Sequence, residues 1–214
     1  MIRRTCEQAL ARRRKTQKGH EMIEFGILAA LIIPLFGGMF YAGLGLIRAN
    51  QANQLGRDIN SLYIKNVDFT TTQGQALAVK MAGGLGLQAP TGGSGEVILT
   101  QVTYIGATTG AVCTSVPAGN TCNSNKFVYT QRIIIGDTSL GFTSDFGNPT
   151  APVTGGNVQN YSYNPGAVLP PAQQAAFAAL WTTPLQEGQY VYITETFFNP
   201  LNAGGSPVHT RSFF

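Results

Sequence analysis

Two histidines, three cysteines and ten carboxylates are the side chains with the most chemistry to offer in this chain. Their spacing offers little of it. His20 and His209 lie near opposite ends, and no Ser/His/Asp set, metal-ligand cluster or dinucleotide fingerprint assembles around either. The glycines of residues 89–95 precede a strand-like run and are followed by no lysine, so they do not read as a phosphate loop. Asp137 and Asp145 could attract calcium, but their spacing matches no ion-binding loop. Glu195 stands inside an apolar alternation and reads as a solvated sheet edge or as a partner of Arg132 or Arg211. The expectation is a non-enzymatic protein without cofactor or resident metal.

Cys113 and Cys122 have a different prospect. Eight residues containing Pro117 and Gly119 separate them, which suits a turn closed by a disulfide in an exported domain. A loop so short would gain about 2–3 kcal/mol from the cross-link in the chain-entropy picture. A metal site is the weaker alternative, since the pair lacks CxxC spacing and has no neighbouring histidine. Cys6 is left over near the N-terminus.

The carboxylate in the most telling position is Glu24. It is the last charge before Phe25–Ile47, a run of 23 residues without one. A helix of that length crosses a hydrocarbon core of roughly 30 Å, and it exceeds the ~7–15 apolar residues of a secretory signal. Upstream, residues 1–19 carry seven basic side chains against Glu7, whereas the rest of the chain carries seven basic against nine acidic. The basic character therefore belongs to a leader that reads as a positive-inside signal, and the composition excludes a nucleic-acid-binding protein. Within the run, Gly26, Gly37, Gly38, Gly43 and Gly45 suit close helix packing in lipid, and Pro34 should bend or loosen the helix.

Beyond the membrane segment, Ala49, Ala52, Leu55, Ile59, Leu62 and Tyr63 recur at helical spacing, with Arg48, Asn53, Arg57, Asp58 and Asn60 between them. This predicts an amphipathic stem laid on a globular domain. A short helix fits Thr72–Ala82, with Thr71 or Thr72 as cap. Strands are predicted over Glu96–Ile105 and Lys126–Ile135, paired as a hairpin with the cysteines in its tip. A third is predicted over Gln189–Phe198, and a last one within Pro207–Phe214. A helix fits Ala172–Trp181. Residues 136–170 read as a long irregular excursion, a place for short strands or for binding. The fold class is α+β: a long N-terminal transmembrane and stem helix, residues 20–65, then a small antiparallel β-sheet domain with short helices, residues 66–214. With 11% charged residues, the composition suits an extracytoplasmic domain.

The Arg/Lys leader, Gly19, five residues ending in Glu24, and then Phe25 with an apolar helix together resemble a class III, type IV pilin-like signal. The Glu24-Phe25 pair resembles that of the tight-adherence (Tad/Flp) branch. The strand Tyr190–Phe198, with Glu195 within it, resembles a late strand of TadE-like minor pilins and pseudopilins. The resemblance covers residues 12–65 and 189–200, and the middle of the chain has no match. It implies cleavage between Gly19 and His20 by a prepilin peptidase, of which the chain would be a substrate. It also implies a single pass through the bacterial inner membrane, N-terminus cytoplasmic and C-terminal domain periplasmic or, after assembly, on the cell surface. Its partners would be other pilins or pseudopilins, the Tad assembly platform and inner-membrane lipid, with a host or surface ligand for the globular domain. His20 departs from the usual first mature residue of the broader pilin class. The resemblance gives Glu24 a role in assembly, pairing with the new N-terminal amine of a neighbouring subunit. The alternative is an uncleaved, signal-anchored periplasmic binding or adhesion module.

Overall fold

The computed structural model describes residues 2–89, 92–181, 185–199 and 207–214, with side chains from residue 22 onward. The first helix, α1, runs Ile2–Ile64. Helix is assigned through Pro34, which supplies no N–H to the preceding turn. The helix ends on a Schellman motif. Asn66 takes a positive φ of 61°, Asn66 N–H donates to Tyr63 O, and Val67 N–H donates to Leu62 O. These bonds satisfy the last carbonyls.

The chain divides into two compact units, residues 1–47 and 48–214. In the first, the described large apolar side chains are exposed, Phe25, Phe36 and Phe40 by 71%, 69% and 73%. This helix, near the N-terminus, is long and apolar enough to cross a membrane.

The second unit is α+β, a six-stranded antiparallel sheet with short helices. Its elements are α2 (Thr72–Met81), β1 (Gly95–Ile105), α3 (Ala111–Thr114), β2 (Lys126–Gly136), β3 (Val153–Thr154), β4 (Asn157–Val158), α4 (Pro171–Ala178), β5 (Tyr190–Phe198) and β6 (Val208–Phe213). The strand order is β3-β4-β2-β1-β5-β6. Thr71 caps α2 by accepting from Gly74 N–H. At Gly74 a Cβ would stand 2.1 Å from the Asp68 carbonyl oxygen, so the tight entry to α2 requires glycine.

Each face of the sheet has its own core. Val97 and Leu99 of β1, Ile133 and Ile135 of β2, and Phe198 of β5 pack against Ala52, Leu55, Ile59 and Tyr63 of α1. The predicted stem stripe is thus the stripe that is buried. Asn60, read as polar-face, is instead fully buried, and its Nδ2 donates to the Tyr192 carbonyl at 3.4 Å. The opposite face presents Val102, Tyr129, Val191 and Ile193 to Phe146, Ala151, Val158, Ala167, Leu169 and Phe177.

Those covering residues come largely from 136–170, read from the sequence as an irregular excursion. The segment does hold short strands, β3 and β4, and two 3₁₀ turns, Thr138–Leu140 and Pro165–Ala167. It closes the second core, because five of its apolar residues find the sheet face that α1 leaves open. A register shift at Gln101/Val102 leaves Thr130 as the extra residue of β2. Its hydroxyl turns back to the Gln101 carbonyl and side-chain oxygens.

Candidate functional site

Side chains alternate along a strand, so the register decides which of them meet. Ile98 of β1 pairs with Glu195 of β5, and Glu195 pairs with Arg211 of β6. One step along, Glu96 pairs with Phe197, and Phe197 with His209. Thr100 pairs with Arg132 of β2. Glu96, Arg132, Glu195, His209 and Arg211 therefore share the sheet face turned away from α1. Three of them are buried: Arg132 is 5% exposed, Glu96 2% and Glu195 0%.

Burial of charge demands partners, and residues 144–148 bring most of them. Ser144 Oγ donates to Glu195 Oε2 at 2.5 Å, and Asp145 N–H donates to Glu195 Oε1 at 2.9 Å. The Arg132 guanidinium donates to Thr100 Oγ1, Ser144 Oγ, the Gly147 carbonyl and Asn148 Oδ1. Tyr129 donates its hydroxyl proton to the Phe146 carbonyl. Asp145 Oδ2 accepts from Arg211 Nη1 at 2.8 Å. Five consecutive residues are thus fastened to the sheet by charged or hydroxyl groups.

Of the readings of Glu195, the partnership with Arg132 holds, and the solvated edge and the partnership with Arg211 need correction. It is not at a solvated edge: β5 lies inside the sheet between β1 and β6. It meets Arg132 through the Ser144 hydroxyl, and Arg211 is engaged by Asp145 instead. Burial pushes the Glu195 carboxyl above its ordinary value, while the bonds from Ser144 and Asp145 and the charge of Arg132 oppose that rise. Burial also raises Glu96, with Arg132 opposing, and Glu96 Oε2 has no hydrogen-bond partner among the described residues. Arg132 is pulled below its ordinary value by burial, chiefly offset by Glu195.

His209 stacks on Phe197, with centroids 4.2 Å apart and planes 8° from parallel, and Phe197 stacks on Phe142. Its Nε2 lies 3.9 Å from Asp145 Oδ2 and 3.9 Å from Glu195 Oε1. The structure thus gathers Asp145, Glu195 and His209, which no sequence spacing links. The available signal was two charged residues, Arg132 and Glu195, set inside strands rich in β-branched and aromatic residues.

The sulfurs of Cys113 and Cys122 lie at disulfide distance, with the Cα atoms 5.4 Å apart. Cys113 sits on α3, whose start is held by Glu187 Oε1 accepting from Val112 N–H at 2.8 Å. At the other end of the chain, Glu24 and Phe25 lie in α1 with exposed side chains. Glu24 has no hydrogen bond or ion pair among the described residues. Gly19 and His20 fall in the part of α1 where side chains lie outside the described residues, as does Cys6. No protein-family model, curated protein or solved structure matches the chain.

Proposed function

We propose that the chain is a TadE-like minor pilin or pseudopilin, a structural and assembly subunit of a Tad-type pilus or secretion apparatus. The observation that carries the reading is a single helix, Ile2–Ile64, in which Glu24 stands at the head of an exposed, charge-free run to Ile47. A carboxylate in hydrocarbon costs about 2.5–3.5 kcal/mol on insertion scales. A partner at the same depth offsets that cost, and cleavage after Gly19 creates one, the amine of His20 on a neighbouring subunit. Gly37, Gly38, Gly43 and Gly45 have open space where a Cβ would stand, and Phe36, Met39, Phe40, Gly43, Leu44 and Ile47 line an apolar groove. Both features suit a second helix packing alongside in lipid.

In this reading the helix inserts in the bacterial inner membrane with the leader cytoplasmic and the sheet domain periplasmic. A prepilin peptidase removes residues 1–19, and other pilins or pseudopilins and the Tad platform take up the product. The globular domain caps, primes or adheres through a surface ligand. The test is Glu24→Ala in cells that make the pilus. Membrane insertion should be unchanged, while the yield of assembled pili falls about tenfold or more, as loss of a partnered intramembrane charge implies. Unchanged assembly removes the pairing role and favours an uncleaved, signal-anchored binding or adhesion module.

A further inference from the structure

We propose that the groove between α3 and residues 158–163 is a binding site for an uncharged saccharide, one or two pyranose rings in size. The inference stands apart from the pilus reading, since it concerns the purified chain whether or not residues 1–19 are removed. The groove has a volume of about 490 Å³, within the roughly 300–1,000 Å³ of small-molecule sites. One wall is Ala111, Val112 and Ser115, and the other is residues 158–163. Among the described residues, no charged side chain lines it.

Both walls are fixed before any ligand arrives, which lowers the ordering cost of binding. The first is tied at Cys113 to Cys122 and at Val112, whose N–H donates to Glu187 Oε1 at 2.8 Å. A Cβ at Gly106 or Gly110 would meet the Glu187 carboxylate, so the two glycines let it approach. The second wall turns at Asn160, whose φ is 56° and whose carbonyl accepts from Tyr163 N–H and Asn164 N–H. Buried Asn123 holds the rest of the turn. Its backbone N–H donates to the Ser162 carbonyl, and its Nδ2 donates to the carbonyls of Tyr161 and Asn164.

These bonds engage the backbone of the second wall and leave its side chains open. Asn160, Ser162 and Tyr163 make no side-chain hydrogen bond among the described residues. An amide, a hydroxyl and a phenol are therefore available along one wall. The class of ligand follows by elimination. An ion would need a counter-charge, and the lining holds none. A wholly apolar ligand would cover the amide and hydroxyls without pairing them, which is costly. An extended peptide pairs through free backbone groups, and the carbonyls of Asn160, Tyr161 and Ser162 are already engaged. A saccharide meets all three conditions. Its hydroxyls both donate to and accept from Asn160 and Ser162, and the apolar face of a pyranose lies on a tyrosine ring that carries a polar tip.

The test uses the untagged full-length chain in a detergent without a sugar headgroup. Lactose, maltose, cellobiose and diacetylchitobiose are titrated separately and read by saturation-transfer NMR, with glucuronate and tetra-alanine as the charged and peptide probes. At least one of the neutral disaccharides should bind, and more tightly than either glucuronate or the peptide. Asn160→Gly keeps the turn, because glycine accepts the positive φ. It should weaken that binding about tenfold, as should Tyr163→Ala. Circular dichroism establishes that both variants fold. Binding of none of the four disaccharides, undiminished affinity in either variant, or preference for glucuronate or the peptide overturns the proposal.

Discussion

Glu96, Arg132 and Glu195 set the electrostatic character of the sheet domain, because one buried guanidinium faces two buried carboxylates. Burial holds Glu96 above its ordinary value, so the folded chain keeps this proton to higher pH than the unfolded chain does. Native stability from this group is therefore greatest at low pH and falls as pH rises through the folded value. Glu96→Gln removes that loss and leaves Arg132 opposed by Glu195 alone. Urea unfolding should show the variant gaining on wild type as pH rises above the ordinary carboxylate range. A difference between the two proteins that stays constant with pH would contradict this assignment. At the hairpin tip, Cys113→Ser with Cys122→Ser should lower stability by about 2–3 kcal/mol under oxidising conditions. Under reducing conditions the variant and wild type should unfold together. The cysteine pairing was legible from spacing, since the partners are close in sequence. The partners of Glu195 were not, because Ser144 and Asp145 lie 51 and 50 residues away and only the folded excursion brings them near.

Among the elements, those with a strong period were legible. The stem stripe Ala52, Leu55, Ile59 and Tyr63 is buried against β1 and β2, and the strands begin and end within a residue or two of their predicted bounds. Amphipathic alternation encodes such elements locally. The excursion was not legible, because β3 and β4 are two residues each and its apolar residues follow no period. Their burial is set by the vacant face of the sheet. Asn60 is the matching exception in the stem: it is buried with its Nδ2 donating to the Tyr192 carbonyl and its Oδ1 without a partner among the described residues. Ile59 is fully buried between helix and sheet, so Ile59→Ala should cost about 2–5 kcal/mol in denaturant unfolding. A cost no larger than that of an exposed substitution would mean that the stem does not dock on the sheet. Gly74→Ala forces a Cβ onto the Asp68 carbonyl and should cost about 1–3 kcal/mol. An undiminished unfolding midpoint would contradict so close an approach.

For the whole molecule, the sequence and structure agree on an apolar N-terminal helix, long enough to cross a membrane, and an α+β unit from residue 48 onward. The charge pattern divides the chain: residues 1–19 are rich in arginine and lysine and end on a glycine, and the remainder is nearly neutral. In the proposed function those features make the leader a handle that is removed and the remainder a subunit that assembles. Everything downstream, including the role of Glu24, depends on where the mature chain begins. Intact-mass and N-terminal peptide mass spectrometry of the membrane fraction, with and without an active prepilin peptidase, reads that position directly. The account predicts a chain starting at His20 when the peptidase is present and one retaining residues 1–19 when it is absent. A chain that starts elsewhere, or that is the same in both strains, would contradict it.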